Sequence, residues 1–159
     1  MTDESAMQKT FISPHHGGAY PPALEHATVA DAMHAGILTC DPSTTLTQVA
    51  RMMSLHRVHC VAVMAQRHPP GQARVAGIIS DRDLMRAGIG EGREHPSRAR
   101  EFAHQPVVTV EPALPLRAAG ELMLERGLGH LVVIHPEALL PLGILSSLDV
   151  IDLLAWGEG

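Results

Sequence analysis

Gly77-Ile78-Ile79-Ser80-Asp81-Arg82-Asp83 is the most informative stretch of this chain, because it occurs twice. The second copy, Gly143-Ile144-Leu145-Ser146-Ser147-Leu148-Asp149, begins 66 positions later (143 − 77). Each copy joins a glycine, two aliphatic residues, a serine, two variable residues and an aspartate, and an apolar helix start follows. A phrase repeated at about half the chain length indicates one module used twice. We call this pattern the repeated phrase.

The repeated phrase has two readings. A serine at a strand end, three residues before an aspartate, predicts a capping box, in which Ser80 or Ser146 caps the helix and Asp83 or Asp149 reaches back. That role requires no ligand. The second reading adds a nucleotide: helix amides and the positive end of the helix dipole favour a phosphate beside the serine. The aspartate would repel the phosphate, so the phosphate lies beside the serine. The aspartate instead accepts hydrogen bonds from the ribose diol.

The composition excludes several classes of function. The chain has 159 residues, of which 45% are hydrophobic and only 3% aromatic, so its interior must be largely aliphatic. Few aromatic residues argue against a platform for single-stranded nucleic acid. A net charge of −5 disfavours general binding to nucleic acid or to anionic membranes. We therefore expect neither partner.

The cysteines and the apolar pattern bear on location. Cys40 and Cys60 lie beside or within apolar strand patterns and not in a metal-spaced cluster, so we expect buried thiols in a reducing compartment. No apolar run reaches the ~18 residues of a membrane-spanning helix, and the first residues lack an apolar signal core. These features predict a cytoplasmic protein without a metal site.

Hydrophobic periodicity and turn residues predict the same order of elements in each half. The first half reads as a helix over 28–33, a strand around 38–40, a helix over 45–55, strands over 60–64 and 75–80 joined by a hairpin loop over 66–74, and a helix over 81–87. The second half reads as a strand over 107–110, a helix over 115–126, strands over 130–134 and 142–146, and a helix over 147–155. Early positions repeat at an offset of 70, as Thr39 and Thr109 do, and later positions at 66.

In order, these pieces resemble a tandem pair of cystathionine-β-synthase (CBS) domains over about residues 28–155. The resemblance is carried by Thr28-Val29-Ala30-Asp31-Ala32-Met33, Asp41-Pro42-Ser43-Thr44-Thr45-Leu46, the repeated phrase and Glu91-Gly92-Arg93. We expect a flexible arm over 1–27, a first repeat over 28–88, a linker over 89–103 and a second repeat over 104–159. The resemblance implies an α/β (α+β) fold in which two pseudo-symmetric β-α-β-β-α repeats pack sheet to sheet.

The resemblance also implies two clefts that hold adenosine compounds such as AMP, ADP, ATP or S-adenosylmethionine. Strand entrances would contact the purine, and the repeated phrase would contact ribose and phosphate. The candidate ligand-binding residues are Thr39, Cys40, His59, Val61, Ser80, Arg82, Asp83 and Arg86 in the first repeat, and Thr109, Val110, His130, Leu131, Ser146 and Asp149 in the second. Most of the strand positions would also serve as core whether or not a ligand binds.

The two copies of the phrase are not equivalent. Arg82 and Arg86 flank the first, whereas no lysine or arginine follows Arg126. An arginine can fork onto a phosphate, so we expect an anionic ligand at the first copy. The alternative for Arg86 is a solvated helix face, and for Arg82 a salt bridge with Asp81 or Glu91.

Three classes of function remain to be weighed. The first is a stand-alone regulatory module that binds an adenosine compound, changes shape and signals to an unknown regulated protein. The second is a ligand-free dimerisation scaffold. The absence of the family's strand proline at Ala62 and Val132 and of cations at the second phrase supports it, but the intact Ser-x-x-Asp pairs and Arg82 favour the regulatory module, which we expect. The third is an enzyme, but no nucleophile–base pair or Walker phrase is present, so we predict no catalytic residue. Apolar residues on several faces of the last helix predict a homodimer.

Overall fold

The computed structural model describes residues 24–65, 74–89, 97–104 and 106–156. Residues 1–23 of the predicted arm, residues 66–73 of the first hairpin loop and residues 90–96 of the predicted linker lie outside these ranges. The first part contains α1 (Val29–Ala32), β1 (His34–Ala35), β2 (Thr39–Cys40), α2 (Leu46–His56), β3 (Cys60–Met64), β4 (Val75–Ser80) and α3 (Asp81–Ile89). The second contains α4 (Ala99–Phe102), β5 (Thr109–Val110), α5 (Leu116–Arg126), β6 (His130–Ile134), β7 (Pro141–Ser146) and α6 (Ser147–Trp156).

The predicted fold class and element order are confirmed. Strands β3 and β6 occupy the predicted residues, and the four longer helices begin and end within two residues of the predicted positions. The short elements β1 and α4 were not predicted, because two or four residues are too few to show a period. No helix in the described ranges is long and apolar enough to cross a membrane.

Two mixed sheets organise the molecule. One has the strand order β2-β3-β4 and the other β1-β7-β6-β5. In each, a two-residue strand runs parallel to the central strand, which pairs antiparallel with the strand of the repeated phrase. The central strands are almost wholly buried, from Cys60 to Val63 and from Leu131 to Val133, because helices cover the sheet faces.

The segment that leads into each repeat packs on the other repeat. The α1 residue Val29 donates its amide to the carbonyl of Leu114 (2.9 Å), and Ala99 of α4 donates to Thr44 (2.8 Å). The two contacts are equivalent, because Ala99 corresponds to Val29 and Leu114 to Thr44 at the repeat offset of 70 positions (99 − 29 and 114 − 44). Val29 accordingly belongs to the apolar core of the second repeat, and Ala99 to that of the first. We call residues 27–35 and 97–104 the lead segments.

The glycine of the repeated phrase makes room for a lead segment. A Cβ added at Gly77 would lie 2.6 Å from the Cβ of Ala103, and one added at Gly143 would overlap the carbonyl oxygen of His34. The backbones meet there: His104 pairs with Ile78, and β1 pairs with β7. The invariant first position of the phrase is therefore a consequence of close backbone approach.

Candidate functional site

The predicted capping boxes form in both repeats. Asp83 Oδ2 accepts hydrogen bonds from the amide (2.8 Å) and hydroxyl (2.7 Å) of Ser80. Asp149 Oδ2 accepts the same pair from Ser146, at 2.6 and 2.8 Å. The hydroxyl of each serine accepts in turn from the aspartate amide, at 3.4 and 3.3 Å. Both carboxylates are buried, with 5% and 6% of the residue exposed.

The second oxygen of each aspartate meets a histidine of the opposite lead segment. His104 Nε2 lies 2.6 Å from Asp83 Oδ1, and His34 Nε2 lies 2.8 Å from Asp149 Oδ1. An ionised carboxylate only accepts, so Nε2 carries the proton in both rings. Burial opposes ionisation of Asp83, but hydrogen bonds from Ser80 and His104 outweigh it and hold its pKa below the usual value. Asp83 is therefore an ionised, ordered acceptor at neutral pH.

A cavity of about 740 Å³ opens at the first phrase, between the two repeats. Its lining comprises His59, Ile78, residues 80–83, Arg86, His104, residues 106–108, residues 126–130 and residues 146–148. The volume falls within the roughly 300–1,000 Å³ typical of small-molecule sites. The first phrase thus shares one cavity with the strand entrance of the second repeat and with residues 146–148 of the second phrase, so the cavity draws on both halves of the chain.

The cavity lining is basic although the chain is acidic. Its arginines are Arg82, Arg86 and Arg126. Of its two carboxylates, Asp83 is paired with His104, and Asp81 accepts from His59 Nδ1 at 2.9 Å. Arg86 is 3.8 Å from Asp83, a loose contact, and in the described part of the chain Arg82 forms no side-chain ion pair with Asp81. Glu91, the other predicted partner of Arg82, lies outside the described residues. The arginines are thus largely available to an anion.

The two central strands begin with different residues at equivalent positions. Cys60 stands opposite Ser80, and His130 stands opposite Ser146. Burial, with the charges of Asp81 and Asp149, raises the pKa of Cys60 to about 12, so this thiol stays protonated. Burial lowers the pKa of His130, so its ring is neutral at neutral pH. The prediction that both cysteines are buried thiols is confirmed.

The structure brings together half of the candidate residues and leaves the others apart. Those that line the cavity are His59, Ser80, Arg82, Asp83, Arg86, His130 and Ser146. Those that do not line it are Thr39, Cys40, Val61, Thr109, Val110, Leu131 and Asp149. Val61 and Leu131 lie in the two apolar cores, and Thr39 and Thr109 are exposed. For all fourteen, a role in ligand binding remains a prediction.

Among the residues that the sequence reasoning missed are His104 and Arg126, which line the cavity, and His34, which contacts Asp149 of the second phrase. His34 and His104 carried a usable signal, because they recur at the offset of 70 that relates the early parts of the repeats (104 − 34). Arg126 carried none, since the C-terminal end of α5 is far along the chain from the first phrase. Only the packing of the repeats places it on the cavity.

Comparison with known proteins agrees with this architecture. The family described as "CBS domain" matches residues 29–90 and again residues 99–155. An uncharacterized protein of Methanopyrus kandleri is 26% identical over 131 residues, which cover 81% of this chain and 63% of the relative. A CBS domain-containing protein of Bacillus subtilis, YhcV, is 24% identical, with 78% and 84% covered. The chain thus spans less than two thirds of the Methanopyrus relative's length.

Solved structures show the same fold. The CBS domain pair of protein MJ0100, in complex with 5′-methylthioadenosine and S-adenosyl-L-methionine, aligns with a TM-score of 0.69 at 17% identity, covering 81% of this chain and 96% of that one. A putative signal-transduction protein with CBS domains from Burkholderia ambifaria also gives 0.69, at 21% identity, covering 80% and 93%. At these identities the likeness establishes the fold.

Proposed function

The chain belongs to the CBS domain family, and from this premise we propose that it is a regulatory module that binds an adenosine-containing ligand and signals by a change of shape. One observation carries the proposal. The basic cavity joins the Ser-x-x-Asp phrase of the first repeat to the strand entrance of the second. The complex of MJ0100 with two adenosine compounds supports the class of ligand. We propose a sensor and not a catalyst.

The chemistry of the lining supports an orientation for the ligand. Asp83 offers an ionised acceptor, which suits a ribose hydroxyl. Arg82 and Arg86, from α3, and Arg126, from α5, would receive an anionic tail. Val107 and Val108 supply apolar surface for the purine ring. A nucleotide carrying phosphate meets more of these groups than an uncharged adenosine compound does.

Signalling would follow from the position of the cavity. Because its lining comes from both repeats, a bound ligand contacts two bodies whose relative arrangement it can bias. A ligand shifts such an equilibrium only through its different affinity for the two arrangements. A partner protein that recognises one arrangement would then respond to ligand concentration.

A second candidate is a ligand-free dimerisation scaffold. It is favoured because both buried aspartates already have partners inside the protein: Asp83 is paired with His104, and Asp149 with His34. The second phrase also has Leu148 where the first has Arg82. The two candidates differ in whether the cavity takes up a nucleotide.

We further propose that the module forms a homodimer through α6. Leu148, Ile151 and Leu154 recur at a spacing of three on this helix and are 55%, 53% and 60% exposed. We call these three residues the α6 stripe. An apolar stripe on one helix face normally packs against another element. A second copy of the chain presents the same stripe and would cover it under two-fold symmetry.

Calorimetric titration with AMP, ATP and S-adenosylmethionine tests ligand binding. We expect at least one of the three to bind the wild-type chain. Asp83→Ala should abolish binding at the cavity, because it removes the ribose acceptor. Asp149→Ala is the matched control and should leave at least one site titrating, since Asp149 does not line the cavity.

Two results would contradict this assignment. Binding that survives in Asp83→Ala but disappears in Asp149→Ala would place the ligand at the second phrase. No heat from any of the three compounds, with no rise in melting temperature at millimolar ligand, would favour the scaffold, because any specific ligand of the folded state stabilises it.

A further inference from the structure

His104 stands where the lead segment of the second repeat meets the cavity. Its Nε2 donates to Asp83 Oδ1 at 2.6 Å, and its side chain is 61% exposed although the aspartate is buried. The ring also lines the cavity. His104 therefore touches both the buried acceptor and the space that a ligand would fill.

The hydrogen bonds of Asp83 leave one acceptor position open. A carboxylate has about four lone-pair sites. Two at Oδ2 are taken by the amide and hydroxyl of Ser80, and one at Oδ1 is taken by His104. The remaining site is on Oδ1, because Arg86 at 3.8 Å is beyond hydrogen-bond distance.

Without His104, Oδ1 would be poorly fixed. The terminal torsion angle of an aspartate has a broad distribution, so hydrogen bonds at Oδ2 alone leave the carboxylate free to rotate over a range of orientations. The bond from His104 selects one orientation. A preorganised acceptor binds more tightly, because the cost of ordering it has already been met in folding.

From this geometry we infer that His104 is a positioning residue of the ligand cavity: it holds the Asp83 carboxylate so that Oδ1 accepts a ribose hydroxyl. The inference rests on the proposed nucleotide function. It also links affinity to the docking of residues 97–104, because the histidine that orients the acceptor is carried by that segment.

His34 is a natural internal control. It donates to Asp149 Oδ1 at 2.8 Å, is 56% exposed and belongs to the equivalent lead segment. Neither His34 nor Asp149 lines the cavity. Loss of His34 should therefore change the protein's stability much as loss of His104 does, without changing ligand affinity at the cavity.

The backbone should keep the lead segment in place when the His104 side chain is removed. The amide of His104 donates to the carbonyl of Ile78 at 2.9 Å, and the amide of Ala103 donates to Ala99 at 3.0 Å. Neither bond involves the imidazole. His104→Gln gives a second safeguard, because its side-chain amide can reach Asp83 and donate as Nε2 does.

The experiment compares the wild-type chain with His104→Ala, His104→Gln and His34→Ala, using calorimetry with AMP, ATP and S-adenosylmethionine. The expected Kd of His104→Ala is about tenfold higher, the size of one hydrogen bond to a charged group. The increase in Kd should be the same for every compound that binds, because all three contain the ribose. The Kd values of His104→Gln and His34→Ala should stay within about threefold of the wild type.

Each other outcome overturns the inference in a recognisable way. An unchanged Kd in His104→Ala excludes a positioning role while leaving the proposed function intact. An equal loss in His34→Ala means that the effect is general destabilisation. A loss confined to ATP means that His104 contacts phosphate and does not orient the ribose acceptor. A wild-type chain that binds none of the three overturns the proposed function as well.

Discussion

Gly77 and Gly143 hold equivalent positions in the repeated phrase but face different obstacles. Beside Gly77 the nearest atom to an added methyl group is the Cβ of Ala103, whereas beside Gly143 it is the backbone oxygen of His34. The Cβ of Ala103 is fixed to its own backbone, so an added methyl group displaces backbone at both positions, but the approach is closer at Gly143, where β1 is paired with β7. The same residue type therefore carries a different constraint in each repeat.

We predict that Gly143→Ala destabilises the protein more than Gly77→Ala does. Overpacking of this kind costs about 1–3 kcal/mol, and we expect Gly143→Ala near the upper end and Gly77→Ala near the lower. Urea denaturation gives both free energies of unfolding. Gly88→Ala is the control: nothing lies within 4 Å of an added Cβ there, and the residue is helical, so it should be neutral or slightly stabilising. Equal losses at Gly77 and Gly143 would contradict the argument from the closer approach at Gly143.

The equivalent helices α2 and α5 end in the same backbone conformation but with different residues. Each helix closes on a residue in the left-handed region, Arg57 at φ 55° and Gly127 at φ 63°. Glycine adopts this conformation freely, whereas a residue with a Cβ is strained in it. The first repeat therefore carries strain that the second avoids.

Arg57→Gly should accordingly stabilise the chain by about 0.5–1 kcal/mol, since relief of left-handed strain outweighs the added freedom of the unfolded chain. Thermal and urea unfolding would both register the gain. The reciprocal variant Gly127→Ala should lose about 1 kcal/mol for the same reason. A destabilised Arg57→Gly would show that the arginine side chain makes a contribution larger than the backbone strain.

Assembly depends on the surface of the whole molecule. Leu153 of α6 is fully buried, while the α6 stripe on another face of the same helix is more than half exposed. The expectation that some of these apolar residues are buried and others remain outside is confirmed. The homodimer itself remains a prediction.

We predict a dimer mass by light scattering at tens of micromolar protein. Ile151→Glu should reduce it to the monomer mass, because a charge in an apolar interface is left without a partner. Leu124→Glu is the control, an 85% exposed leucine on α5 outside the stripe, and should leave the mass unchanged. A monomeric wild type, with or without nucleotide, would overturn the prediction.

The sequence by itself determined the repeat, the order of elements and the capping boxes. These depend on periodicity and on hydrogen bonds between residues three or four apart, such as Ser80 with Asp83, so local pattern suffices to predict them. The expectation of an anionic ligand at the first phrase, which rests on Arg82 and Arg86, remains a prediction. The capping boxes and the two arginines each lie within a few consecutive residues, and the repeat is evident when the two halves of the sequence are compared.

Only the tertiary structure decided how the halves meet. It placed each lead segment on the opposite repeat, joined His34 to Asp149 across 115 positions (149 − 34), and brought Arg126 to the first phrase. Such contacts arise because each lead segment packs on the apolar core of the other repeat, and no local period encodes them. His34 and His104 illustrate the difference. Their offset of 70 is visible in the sequence, but their aspartate partners are evident only in the structure, where strand pairing places the lead segments against Gly77 and Gly143.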